Sequence, residues 1–223
     1  MFFAERIKNI AATDKVLEIG PGASPHPRSD ILLELEYTNE ADRSAQFGHG
    51  EKLVSDKKIV YYDGKKFPFK DKEFDYIICS HVLEHVEDVP GFLQEVFRIA
   101  NKGYFEYPMV YYDYIYNFDV HVNFLKYDDG CLKFMKKNKT GLNEFKPVQQ
   151  FFNASLQKGY FSLVNELSAF LMEGFEWDKP FKIEEAKKLE EVCHANFVIP
   201  EPKTPLSPSS MQLLKQLVKR IIK

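Results

Sequence analysis

Five short apolar runs constrain this chain more than any other feature: KVLEIG at 15–20, DILLELE at 30–36, KIVYYD at 58–63, FDYIICS at 74–80 and GYFEYP at 103–108. Each reads as a strand, and each is apolar almost throughout instead of alternating. A strand with one wet face alternates, whereas a continuous run needs cover on both faces, as in a parallel sheet layered by helices. Between the fourth and fifth runs, Phe92, Leu93, Val96, Phe97 and Ala100 recur at helical spacing and supply a βαβ crossover. Beyond Pro108, VHVNFLKY and CLKFMKK flank Asp128-Asp129-Gly130, a hairpin with glycine at its turn. The expected class is α/β: a mostly parallel sheet of about seven strands, an antiparallel hairpin at one edge and a mixed C-terminal extension.

The second half is read in pieces. Leu163, Leu167, Phe170 and Leu171 form one helical stripe, FEWDKPFKI reads as a strand pair, and EEAKKLEEVCHANF as a further helix. PEPKTPLSPSS is an extended, proline-rich linker. MQLLKQLVKRIIK then gathers Leu213, Leu214, Leu217, Val218, Ile221 and Ile222 on one face. Residues 200–223 hold five positive charges against one negative, although the whole chain has a net charge of −3. The expected division is 1–140, 141–199 and 200–223. The basic amphipathic helix suits docking on its own domain, a homo-oligomer interface, or peripheral contact of residues 209–223 with an anionic membrane.

Composition narrows the class further. A pI near 6.1 gives no support to bulk nucleic-acid binding. Cys79, Cys131 and Cys193 are an odd set with no close pair, which argues against a disulfide framework or zinc knuckle and fits a reducing compartment. The opening MFFAERIKNIAA carries charges where a secretion signal needs an apolar run, so a cytoplasmic location is expected, with peripheral membrane contact through the tail as the variant.

Glu18-Ile19-Gly20-Pro21-Gly22 follows the first strand directly. Glycines at a strand's carboxyl end allow a tight turn and close approach to a nucleotide. The second strand ends in Glu34 and Glu36, where a carboxylate can accept both hydroxyls of a ribose. Asp63 ends the third, ahead of Phe67-Pro68-Phe69, and can accept from an adenine amine beside an apolar wall. Three acids at successive strand ends match the rule that open α/β sheets bind ligands at their carboxyl edge.

The runs VLEIGPG, ILLELE, YYDGKKFPF, FDYIICSHVLEHVED and FLQEVFRIANKGYFEYP, in that order over about residues 14–108, resemble a class I S-adenosylmethionine-dependent methyltransferase of the small-molecule branch. The resemblance implies a Rossmann-like sheet and S-adenosyl-L-methionine as cofactor. It implies Gly20 and Gly22 beside the methionine moiety with Glu18 nearby, an acid of the second strand on the ribose, and Asp63 near the adenine. Glu34 is preferred to Glu36 because it faces away from Leu33 and Leu35; both stay open. It also implies that residues 141–199 cover the acceptor side. Two departures stand out. Ala23 and Ser24 replace the family's frequent third glycine, and the short stretch with Pro25 and Pro27 is too brief for the usual first helix. The cofactor roof then falls to Arg43 or the GHGEK segment around His49.

Ser80-His81-Val82-Leu83-Glu84-His85 sits where the family's acceptor pocket opens. Methyl transfer from a sulfonium is an in-line displacement, largely a matter of positioning. A hydroxyl acceptor also needs a base, for which His81 is the first candidate, with Glu84 or His85 orienting it; in the competing reading Glu84 and His85 only pin the loop. The same letters spell H-x-x-E-H, a zinc-peptidase signature. That reading is set aside because Asp88-Val89-Pro90 interrupts the long helix it requires, and no metal is assigned. His121 reads equally as an ordinary half-buried histidine. Residues 104–127 carry ten aromatics, most for core packing, with the tyrosines suited to a pocket wall. Two functions of different class follow: methyl transfer to a small-molecule, glycan- or lipid-linked acceptor at oxygen, or a non-catalytic adaptor working through its basic tail.

Overall fold

The computed structural model describes residues 1–36, 53, 55–156 and 161–194. Arg43, the segment around His49 and the tail read over 200–223 lie outside the described residues. All five apolar runs form strands: β1 (Val16–Ile19), β2 (Ile31–Leu35), β3 (Lys58–Tyr62), β4 (Tyr76–Ser80) and β5 (Gly103–Pro108). They pair in parallel, and β8 (Met172–Trp177) closes the sheet antiparallel to β5, giving the order β3-β2-β1-β4-β5-β8. Leu17, Ile19, Leu33, Ile77, Cys79 and Phe105 are buried in the main core, while Val16, Tyr76, Ile78 and Tyr104 pack on the opposite face. This two-sided cover is why the strands do not alternate.

Helix α1 (Val89–Ile99) forms the β4–β5 crossover. Asp88 caps it by accepting from the Gly91 amide at 3.0 Å, and Pro90 sits in the first turn, where its missing N–H costs nothing. Val89, Phe92, Leu93, Val96 and Ile99 form its buried stripe. Between β1 and β2 the chain makes only turns and bends, as the prolines imply. A short helix, α2 (Val110–Tyr116), follows β5, and α3 (Lys146–Ser155), α4 (Phe161–Glu166) and α5 (Ser168–Leu171) precede β8.

The central sheet holds six strands, and the expected hairpin, β6 (Asn123–Asp128) with β7 (Cys131–Lys136), does not extend it. The hairpin forms a separate sheet, in which β9 (Lys182–Glu185) pairs parallel to β7. FEWDKPFKI thus supplies two strands that do not pair with each other. The helix expected over 184–197 is also corrected: Glu184 and Glu185 finish β9, and only Leu189–Val192 makes a 3-10 turn. Register against β7 overrides the helical propensity of this stretch. Rings join the sheets: Tyr127 of β6 stacks on Phe175 of β8 at 3.7 Å between centroids, and Phe181 packs edge-on against Phe105 and Trp177. Much of the aromatic excess is therefore core; Tyr104, Phe105 and Tyr107 are fully buried and Tyr114 is exposed. No helix of the described residues is long and apolar enough to cross a membrane.

Candidate functional site

Strand order reverses between the adjacent strands β1 and β4, so the connections leaving their carboxyl ends run opposite ways, the switch point at which doubly wound sheets bind ligands. Gly20 and Gly22 stand at the end of β1 with φ of +62° and +61°, a region L side chains rarely adopt. Gly20 is required twice, since a Cβ there would lie 2.5 Å from Val82 Cγ2 on the loop leaving β4. The two loops that border the crevice are thus packed together through a glycine.

The acids differ in availability. Glu18 is buried and accepts from the His26 amide at 2.7 Å and Ser29 Oγ at 2.6 Å, so its carboxylate fixes the loop that replaces the missing helix; burial raises its pKa. Glu34 is also buried, with Oε1 accepting from the Leu35 amide at 2.9 Å. Glu36 is exposed just beyond β2, its amide tied to Tyr62 O. Asp63 is exposed beyond β3, where Oδ1 accepts from the Lys65 amide.

After β4 the chain turns through His81, which has φ +57°. Its amide donates to Glu106 O at 2.8 Å, Nε2 lies 3.1 Å from Glu106 Oε1, and Nδ1 lies 3.3 Å from Glu84 Oε1. Burial works against the imidazolium, but the Glu106 and Glu84 carboxylates outweigh it and hold the His81 pKa up at about 9. Two carboxylates on its two ring nitrogens favour the protonated ring, which weighs against the expected role as base.

Glu106, in β5, was not singled out in the sequence, although an acid inside a buried strand is itself a signal. Its Oε1 accepts from the Phe2 amide and Ser80 Oγ, and its Oε2 from the Phe3 amide and Tyr104 OH. Burial would raise its pKa, but His81 and these donors hold it at about 2. Phe2 lies edge-on to His81, at 5.4 Å between ring centres.

Glu84 and His85 belong to a one-turn 3-10 helix, Leu83–His85. This turn is fixed to β6: Asn123 Nδ2 donates to Leu83 O and Val86 O, and the Val122 amide donates to Glu84 O. Glu84 is 1% exposed. Burial pushes its pKa up, but the imidazoles of His81, His85 and His121 bring it down to about 2. His85 Nδ1 faces Val120 O at 3.0 Å, and its ring meets that of His121 edge-on. H-x-x-E-H is therefore not a helical metal motif, because His81 lies outside the turn and faces Glu106.

A family model described as a methyltransferase domain matches residues 28–105. Among curated proteins, the chain is 26% identical over 100 residues to the uncharacterized protein MJ1123 of Methanocaldococcus jannaschii, covering 44% of this chain and 45% of that one. Among solved structures, it is similar to YcgJ of Bacillus subtilis (25% identity, 45% of this chain and 47% of that one, TM-score 0.33). It is also similar to a putative methyltransferase of Bacillus halodurans (16% identity, 50% and 55%, TM-score 0.36). The matched stretch spans under half the length of MJ1123 and of YcgJ. Residues 28–105 thus match a methyltransferase domain, and they lie in a sheet of order β3-β2-β1-β4-β5 closed by an antiparallel strand, an arrangement similar to that of class I, S-adenosylmethionine-dependent methyltransferases.

Proposed function

We propose that the chain transfers a methyl group from S-adenosyl-L-methionine to a hydroxyl of a small-molecule, glycan- or lipid-linked acceptor. The observation that carries this reading is the pair of left-handed glycines at the switch point, flanked by exposed acids at the ends of β2 and β3. Such a crevice fits the cofactor: the glycine turn brings backbone close, and carboxylates accept from hydroxyl and amine donors. When bound, S-adenosyl-L-methionine supplies an electrophilic methyl group.

Glu36 takes the ribose role in place of Glu34, because Glu34 is buried and bonded to its own neighbour's amide while Glu36 faces solvent. Asp63 takes the adenine side, and Gly20 and Gly22 border the methionine moiety. Glu18 acts indirectly, by holding residues 26–29 against the β1 end. The protonated His81 serves as a positioning residue that locks the β4 loop to β5. An apolar cleft of about 400 Å³ beyond β5, lined by Tyr114, Phe145, Val148, Phe152 and Leu167, supports an acceptor with a lipid or other apolar portion.

Calorimetry with S-adenosylhomocysteine tests the cofactor assignment. One site per chain is expected, weakened at least tenfold by Glu36→Ala and by Asp63→Ala, with both variants as stable as the parent. A parent chain that gives no binding heat refutes the reading and leaves the adaptor function in its place.

A further inference from the structure

Glu84, His85 and His121 form a cluster outside the glycine-turn site. One donor atom of each residue lies within 4.8 Å of the others. His85 reaches this point from the 3-10 turn after β4, and His121 from the loop before β6.

Each imidazole is oriented by its far nitrogen. His85 Nδ1 is directed at Val120 O at 3.0 Å, and His121 Nδ1 at Asp113 Oδ2 at 2.8 Å. An acceptor at Nδ1 fixes the proton there and leaves Nε2 with its lone pair; backbone carbonyls and carboxylates orient metal-binding histidines in this way. Asp113 is itself held by the Phe118 amide and by Lys137 Nζ at 3.3 Å. The third member supplies an independent observation. Glu84 is 1% exposed; its Oε1 has His81 Nδ1 at 3.3 Å as a charged neighbour, and neither carboxylate oxygen has a well-aligned hydrogen bond from a described residue. His85 Nε2 stands 3.8 Å from Glu84 Oε1. His81 approaches only Oε1, so the buried Oε2 still needs a partner, which a cation between Glu84 and the two imidazoles supplies.

We propose that Glu84, His85 and His121 bind a divalent transition-metal ion of the zinc class, through the carboxylate and the two Nε2 atoms. Two imidazoles and one carboxylate are borderline donors, suited to zinc, cobalt or ferrous iron and not to calcium, which takes oxygen donors throughout. Ligand atoms on a tetrahedral zinc stand about 3.4 Å apart, so the cluster closes on the ion by a shift of about 1 Å. Three protein ligands leave a fourth position for water or an oxygen of a bound molecule. The Val122 amide, donating to Glu84 O, and the Asn123 side-chain amide, donating to Leu83 O and Val86 O, hold the two contributing loops together before any ion arrives.

The test uses the whole chain, stripped with a chelator and titrated with Co²⁺ alone, then with Zn²⁺ in competition. One equivalent of Co²⁺ is expected to give visible d–d absorption that one equivalent of Zn²⁺ abolishes. His121→Ala and His85→Ala should each weaken binding at least tenfold, with circular dichroism checking that they fold. His26→Ala, away from the cluster, should leave binding unchanged. A parent chain that takes up no Co²⁺, or folded His85 and His121 variants that bind as tightly as the parent, overturns the proposal. Neither readout involves S-adenosylmethionine, so this outcome is separate from that of the methyl-transfer reading.

Discussion

Glu106→Gln is the most informative single change outside the crevice. The carboxylate is 1% exposed in β5 and receives the Phe2 and Phe3 amides, Ser80 Oγ, Tyr104 OH and the His81 ring. Its pKa is held at about 2, against an ordinary 4.5. That depression is equivalent to about 3 kcal/mol of native-state stabilisation when the group is ionised. Because the folded pKa is the lower one, the contribution is complete above the ordinary carboxylate range and is lost as pH falls through 4.5 towards 2. Glutamine keeps the shape but not the charge, and its amide group must point at an N–H or O–H that now lacks an acceptor. Urea unfolding, followed by the fluorescence of the single Trp177, should show the variant less stable by about 3 kcal/mol at pH 7, narrowing to about 1 kcal/mol at pH 3. A loss below about 1 kcal/mol at pH 7, or a difference independent of pH, would refute the claim that this carboxylate anchors the β4–β5 edge.

Two further changes probe the frame. Gly20→Ala combines a left-handed φ with a Cβ 2.5 Å from Val82, so a loss of about 2 kcal/mol or more is expected in urea unfolding, and Gly20→Ala,Val82→Ala should recover only the steric part. Phe175→Ala removes the ring stacked on Tyr127 between the two sheets. About 2 kcal/mol should be lost, with amide exchange accelerating in β6 and β7 more than in β1 and β2.

The elements read most reliably from the sequence were those defined by local pattern. Five continuous apolar runs gave five strands, the spacing of Phe92, Leu93, Val96, Phe97 and Ala100 gave α1, and the short Pro25–Pro27 stretch ruled out a first helix. Reading the acids was harder. Side alternation favoured Glu34, which is buried, over Glu36, which is exposed, and exposure at a strand end depends on where pairing stops. Glu36 lies just past that point.

What the sequence determined by itself was the parallel sheet, its crossover helix and the glycine turn, because these depend on residues near one another along the chain. Tertiary structure alone decided the rest. FEWDKPFKI divides between two sheets because β5 and β7 each had a free edge within reach. The His81 pKa is raised because Glu106, 25 residues away, neighbours it across the β4–β5 pairing. Glu84, His85 and His121 converge because β6 is hydrogen-bonded to the turn after β4. Charge state and ligand geometry depend on neighbours in space, and those neighbours exist only once the sheet has formed.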